Sequence, residues 1–238
     1  MEKGIVRTIA FIFARGGSKG LPQKNIKSLD GKPLIQYSIE TAFATASIEK
    51  VFVSTDDAAI ASVARTAGAE IIERPTELAT DTSPEWLSWR HAIEYVCTNY
   101  GVFDVFLSLP ATSPLRNEVD VSAAIKQLSE AKADICISVT TANRSPYFNM
   151  VRQSEDGSVE LVNRPTTGVY RRQDAPEVFD ITTVVYAAKP EFVLENNALF
   201  DGKVTSIFVP KERAVDIDDI YDFMLAEAIL TERKNVDK

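Results

Sequence analysis

Short apolar runs rich in β-branched and aromatic residues alternate with segments of helical spacing along most of this 238-residue chain. The runs at 8–14, 51–54, 105–109 and 135–139 each read as a strand buried on both faces. Between them, 34–46, 58–67, 85–100 and 119–131 carry apolar residues at helical intervals. Gly68 follows the second helix where a C-terminal cap is expected, and Pro84 stands where the third begins. Strand and helix in strict turn predict an α/β protein with a mainly parallel sheet and right-handed crossovers.

The alternation breaks after residue 139. From 140 to 178 polar residues, Pro and Arg dominate, with a turn-like Glu155-Asp156-Gly157 and the pair Arg171-Arg172. So long a structureless loop is improbable inside a compact domain, so a β-rich excursion or an interface arm is expected. Strands return at 181–188 and 204–209. A last helix is expected at 218–233, with Asp218 and Asp219 at its positive end and Arg233 and Lys234 at its negative end. The length suits a single domain over 1–238, with 140–180 as an arm inserted in it.

The net charge of −8 argues against a nucleic-acid partner bound through the overall field. Two cysteines, Cys97 and Cys136, are too few for a metal cage and read as buried free thiols. The single histidine, His91, closes mechanisms that need two and reads as structural. No apolar run approaches the roughly 18 residues a membrane helix needs. Lys3 and Arg7 before 9–14 imitate a signal peptide, but Arg15, Gly16 and Gly17 follow instead of a cleavage pattern. A first strand and a cytoplasmic protein, with no membrane partner, are expected.

Directly after that strand comes Ala14-Arg15-Gly16-Gly17-Ser18-Lys19-Gly20-Leu21-Pro22-Gln23-Lys24-Asn25. Ligands of open α/β sheets gather at the carboxyl ends of strands. Glycines let backbone amides approach an anion, and Arg15, Lys19, Lys24 and Lys27 add positive charge. The glycine spacing fits neither the dinucleotide fingerprint nor the P-loop, so hydride transfer with a nicotinamide and P-loop phosphoryl transfer lose their main support. A polyphosphate site is expected.

Near the C-terminus, Val215-Asp216-Ile217-Asp218 puts two carboxylates on one side of an extended backbone. Such a pair suits Mg²⁺, which typically takes one or two carboxylates plus substrate phosphates. Asp218 as a helix cap is the other reading, and it leaves Asp216 unexplained.

Together these segments resemble the sugar-acid cytidylyltransferases, above all the CMP-sialic acid synthetase (acylneuraminate cytidylyltransferase) family. The resemblance rests on ARGGSKGLPQKN (14–25), GKPL (31–34), VSTDD (53–57), RPTELATDTSPE (74–85), PATSPLR (110–116), RRQDAP (171–176) and VDIDD (215–219), and spans nearly the whole chain. It implies a Rossmann-like three-layer αβα nucleotidyltransferase fold and a homodimer built by the arm. It implies attack of the anomeric hydroxyl of a 2-keto sugar acid on the α-phosphate of CTP, with release of pyrophosphate.

The resemblance also implies roles. Arg15 and Lys24 hold and neutralise the triphosphate, with Gly16, Gly17, Ser18 and Lys19 around it. Asn25 meets the ribose. Arg74 reads cytosine with backbone groups near Ser83. Asp216 and Asp218 bind Mg²⁺, with Asp216 counted among the catalytic groups. Arg172 and Tyr186 face the sugar acid. Three departures fall on the sugar side: Pro110 and Ala111 where the family often has Gln, Phe148 where it has Lys, and Asp180 where it has Arg, with Thr182-Thr183 in place of Asn-Gly. They leave another sugar acid, such as Kdo or a legionaminic-type acid, as an alternative, beside a binding relative without turnover.

Overall fold

The structure, a computed structural model, describes residues 6–17, 20–164 and 171–236. Its elements run β1 (Thr8–Phe13), β2 (Ser28–Leu29), β3 (Lys32–Pro33), α1 (Leu34–Ala44), β4 (Ile48–Thr55), α2 (Ala58–Thr66), β5 (Glu70–Glu73) and α3 (Glu85–Tyr100). They continue with β6 (Val105–Ser108), α4 (Glu118–Glu130), β7 (Ile135–Thr141), β8 (Val151–Gln153), β9 (Val159–Leu161), β10 (Phe179–Ala188), α5 (Pro190–Glu195), β11 (Val204–Phe208) and α6 (Ile220–Val236).

Seven strands form one sheet in the order β11-β7-β10-β6-β1-β4-β5. Six run the same way, and β10 runs against both β6 and β7. Alternation along β1 divides the core. Ala10 and Ile12 pack with Ile35, Ile39, Ile60, Val121 and Leu128 of α1, α2 and α4 on one face. Ile9 and Phe11 pack with Trp86, Trp89, Ile93 and Phe192 of α3 and α5 on the other. Both faces of the strand are therefore apolar, which makes the run continuous rather than alternating in hydropathy. Full burial of Phe11, Phe52 and Phe106 contributes about 2 kcal/mol each.

A third cluster lies beyond the carboxyl edge. Leu21, Leu29 and Leu34 after the first loop meet Leu115, Ile217, Phe223 and Ala226. It clamps the first loop, the turn after β6 and α6 together, and so positions the site.

The expected rhythm holds, with adjustments. The last helix begins at Ile220, because the Asp219 carboxylate accepts from the amides of Tyr221 (2.8 Å) and Asp222 (3.1 Å) and caps it. The excursion contains a hairpin, β8–β9, turned at Gly157 with φ of 83°. Cys136 is buried, whereas Cys97 is only half-buried, and both are free thiols. His91 is half-buried on α3. No helix among the described residues is long and apolar enough to cross a membrane.

Candidate active site

The site forms where β1, β4, β5 and β6 end, as open parallel sheets dictate. After β1 the chain turns into the glycine loop. The backbone amide of Gly16 donates to Asp56 Oδ1 at 3.0 Å, tying the loop to the end of β4. A Cβ on Gly16 would stand 2.7 Å from Asp57 Oδ2, so glycine is needed for this approach. Ser18 and Lys19 lie outside the described residues.

Arg15 pairs with Asp81 at 2.6 Å, and its carbonyl accepts from Asn25 Nδ2 at 3.1 Å. Asn25 is thus buried as a brace of the loop. Lys24 Nζ donates to the Ile217 carbonyl at 2.5 Å and lies 3.4 Å from Asp218 Oδ1. Gly20 touches the same segment, since a Cβ there would meet the Asp218 carbonyl at 2.4 Å. The first loop and the Asp pair, nearly two hundred residues apart, are one structure.

Asp216 is held from below. Ile217 N donates to the Thr112 carbonyl at 2.8 Å in the turn after β6. Asp216 Oδ1 is buried and has no hydrogen-bond partner among the described residues. Burial pushes the Asp216 carboxyl above the usual range, the Asp218 charge pushes it further, and the Thr112 and Thr183 hydroxyls pull it back. Asp218 is 80% exposed, and its carboxylate does not cap α6, since Asp219 does. The cap reading of Asp218 is therefore corrected.

An orphaned hard oxygen beside a second carboxylate fits a divalent cation. Among the described residues no group of three or more His, Cys, Asp or Glu could hold a metal. A cation here would need substrate oxygens to complete its shell.

Beside the loop lies a cavity of about 250 Å³ lined by Phe13, Arg15, Arg74, Ser83 and Glu85 among others. Arg74 is buried, with Nε on Ser54 Oγ (3.1 Å) and Nη2 on the Ser54 carbonyl (2.8 Å), and its guanidinium lies 5.6 Å over the Phe13 ring. Burial pushes Arg74 down, and Glu85 opposes this. Ser83 Oγ is buried without a hydrogen-bond partner among the described residues. Glu85 lines the cavity and is exposed; the protein packed about it pushes its carboxyl up, and the Trp89 hydrogen bond and Arg74 oppose this.

Tyr186 packs its ring 5.5 Å from Trp89. Burial pushes its phenol up to about 12, with Glu85 and Asp216 adding to the shift. Just before it, the β10–β7 register slips between Thr182 and Tyr186. Ser138 Oγ fills the bulge, accepting from Val185 N at 3.1 Å, and Thr183 meets Ser113, oxygen to oxygen, at 2.6 Å. The bulge thus re-aims Thr183 towards the Asp216 carboxylate.

Arg172 is set apart. Its Nη2 donates to the Ala142 carbonyl at 2.7 Å, and it lines a different cavity of about 420 Å³ with Arg144, Gln173 and Glu177. Asp180 holds the Asn143 amide at 3.1 Å on that side.

Glu85, Thr112 and Arg116 carry no role in the sequence reading, and Thr183 figures there only as a departure from Asn-Gly. Arg116 is buried, donates to Ser38 Oγ (2.8 Å) and to the Pro110 carbonyl, and braces the turn that carries Thr112. Its place in PATSPLR was the available clue.

A mainly parallel three-layer sheet, with a cationic glycine loop meeting two carboxylates at its carboxyl edge, defines a nucleotidyltransferase-type site. A family model described as Cytidylyltransferase matches residues 9–234, and the chain belongs to that family. It is 33% identical to the post-translational flagellin modification protein B of Campylobacter coli, over 93% of this chain and 94% of that protein. It is 34% identical to the CMP-N,N'-diacetyllegionaminic acid synthase of Campylobacter jejuni, over 92% and 93%. It is 32% identical to the N-acylneuraminate cytidylyltransferase of Escherichia coli over 98% of this chain, but spans only 54% of that relative's length. In fold it matches a CMP:2-keto-3-deoxy-manno-octonic acid synthetase complexed with CTP, with a TM-score of 0.70 at 16% identity over 95% of this chain and 99% of the other.

Proposed function

We propose that the protein transfers CMP from CTP to the anomeric hydroxyl of a 2-keto sugar acid, a sialic acid or related nonulosonate, and releases pyrophosphate. The observation that carries this reading is the junction of Lys24 with Ile217 and Asp218. It brings the cations of the glycine loop to a carboxylate pair, which is what a triphosphate-metal substrate requires.

In this reading Arg15 leaves Asp81 for the phosphates, and Lys24 neutralises charge as pyrophosphate departs. Gly16 and Gly17, with Ser18 and Lys19, line the phosphates. Asn25 sets the loop against the ribose. Arg74 and Ser83 receive the base in the cavity beside Phe13. Asp216 and Asp218 hold Mg²⁺, which when bound supplies charge neutralisation to the triphosphate. Tyr186 and Thr183 border the acceptor sugar, and Arg172 offers a cation to its carboxylate from the arm side.

The arm at 140–180 exposes Met150, Val151, Val159 and Phe179, an apolar set that suits contact with a second copy and hence a homodimer. CTP as substrate and two free thiols fit a cytoplasmic protein.

The test is pyrophosphate release with CTP, Mg²⁺ and a panel of N-acetylneuraminate, Kdn, Kdo and diacetylated nonulosonates. Release with one acid establishes the reaction. CTP binding with no release across the panel would favour a binding relative without turnover.

A further inference from the structure

The cavity beside Arg15 contains an acidic side chain that the reading above leaves without a task. Glu85 stands in the first turn of α3 and lines the same cavity as Arg74, Ser83 and Phe13. One helical turn on, Trp89 Nε1 donates to Glu85 Oε1 at 3.2 Å, which orients the carboxylate. Oε2 has no hydrogen-bond partner among the described residues. Arg74 uses Nε and Nη2 on Ser54, and its Nη1 likewise has no partner among the described residues. One cavity therefore offers a buried donor, an acceptor oriented by one hydrogen bond and an aromatic face.

Those groups have a chemical complement. Cytosine offers two acceptors, O2 and N3, next to an amino donor at N4. Uracil offers O4 where cytosine has the amino group. A carboxylate accepts from the amino group and meets O4 lone pair to lone pair. Asp81, the other acid lining this cavity, pairs with Arg15, whereas Glu85 keeps an oxygen available to meet a donor.

We infer that Glu85 reads the amino group of the base and selects cytosine over uracil. The inference rests on the nucleotide reading proposed above and assigns it a specificity residue.

Calorimetric titration of the whole chain with CTP, UTP and 2′-deoxy-CTP in Mg²⁺ tests it without an acceptor sugar. Quenching of Trp86 and Trp89, the chain's two tryptophans, is a second readout. The wild-type chain is expected to bind CTP at least about tenfold more tightly than UTP. Glu85→Gln should cut that ratio by about tenfold, because the amide can turn its NH₂ to O4. Glu85→Ala should weaken CTP and relieve the repulsion of UTP, so the ratio falls there too, without the new bond to O4 that the amide supplies.

A CTP-to-UTP ratio unchanged within about twofold in Glu85→Gln overturns the inference. So does a change confined to CTP against 2′-deoxy-CTP, which would place Glu85 on the ribose. Equal loss of all three nucleotides, with an unaltered Tm, overturns it as well. If the wild-type chain binds none of them, the nucleotide reading falls and this inference with it. Pyrophosphate release from CTP beside an unchanged ratio keeps that reading and removes only Glu85.

Discussion

Lys24 Nζ reaches across the site to donate to the Ile217 carbonyl at 2.5 Å, and the same ammonium lies 3.4 Å from Asp218. One side chain thereby joins a loop after the first strand to a segment before the last helix. Lys24 is only 13% exposed, so its charge acts in a partly dry environment. Lys24→Met is expected to lower kcat/KM for CTP by at least about 10²-fold, since a charge that meets the leaving group is gone. Loss of the bond to Ile217 should lower Tm by about 2–4 °C. Lys24→Arg should recover little, because the fork does not fit a point-charge site. Steady-state pyrophosphate assays and thermal unfolding decide the matter. Near-normal turnover in Lys24→Met would remove Lys24 from the site.

Gly20 and Gly17 make a paired prediction. A methyl group on Gly20 would lie 2.4 Å from the Asp218 carbonyl, a backbone atom that cannot step aside without moving the carboxylate pair. A methyl group on Gly17 meets nothing within 4 Å. Gly20→Ala should lower both Tm and Mg²⁺-dependent turnover, the latter by more than about tenfold. Gly17→Ala should leave Tm within about 1–2 °C of wild type. Equal melting points for the two variants would contradict the close approach of the loop to Asp218.

Asp134 lies far from the site and tests the sheet. Its Oδ1 accepts from Lys189 Nζ at 2.9 Å and its Oδ2 from the Lys203 amide at 2.9 Å, so it fastens the start of β7 to its neighbours. The Lys189 hydrogen bond, then the Lys203 amide, holds the carboxyl below the usual range. A lowered carboxyl stabilises the fold above the ordinary Asp value near 4, and that contribution fades as pH falls through the folded value. The side chain is 34% exposed, and screening limits the effect to about 1 kcal/mol. Asp134→Asn should melt about 2–4 °C below wild type at pH 7, with the gap narrowing below about pH 4. A gap as wide at pH 3 as at pH 7 would show that the charge is not the cause.

The parts of this molecule legible in the sequence are those set by local pattern. The apolar run at β1 and the helical spacing of α3 reproduce the observed elements to within a residue. The glycine loop and the Asp pair were legible because each combines unusual residue types at close spacing. Strand direction was not, since the residues of β10 carry no mark of running against β6 and β7. Thr183 gains its place from a register slip between distant strands, which no local window contains. Glu85 looks in sequence like any acid in a first helical turn, and only the arrival of Arg74 from β5 makes it part of a cavity. Arg172 reads as part of the sugar site, yet it lines a separate cavity with Arg144.

Asp216 and Asp120 are both carboxylates withdrawn from water, and they predict opposite outcomes. Asp120 is buried and meets Arg213 through both oxygens, at 2.9 to 3.2 Å. Removing its charge leaves a cation unpaired, so Asp120→Asn should lower Tm. Asp216 has a buried oxygen with no partner among the described residues, and burial sets its carboxyl above the usual range. Its charge is a cost to the fold unless a cation or ligand meets it. Asp216→Asn should therefore raise Tm in the absence of divalent ions while lowering turnover by about 10²-fold or more. Adding Mg²⁺ and CTP should stabilise wild type and leave Asp216→Asn nearly unmoved. Thermal unfolding with and without both ligands, beside the pyrophosphate assay, separates the cases. A fall in Tm for Asp216→Asn with turnover retained would mean that Asp216 is a structural acid and that the cation sits elsewhere.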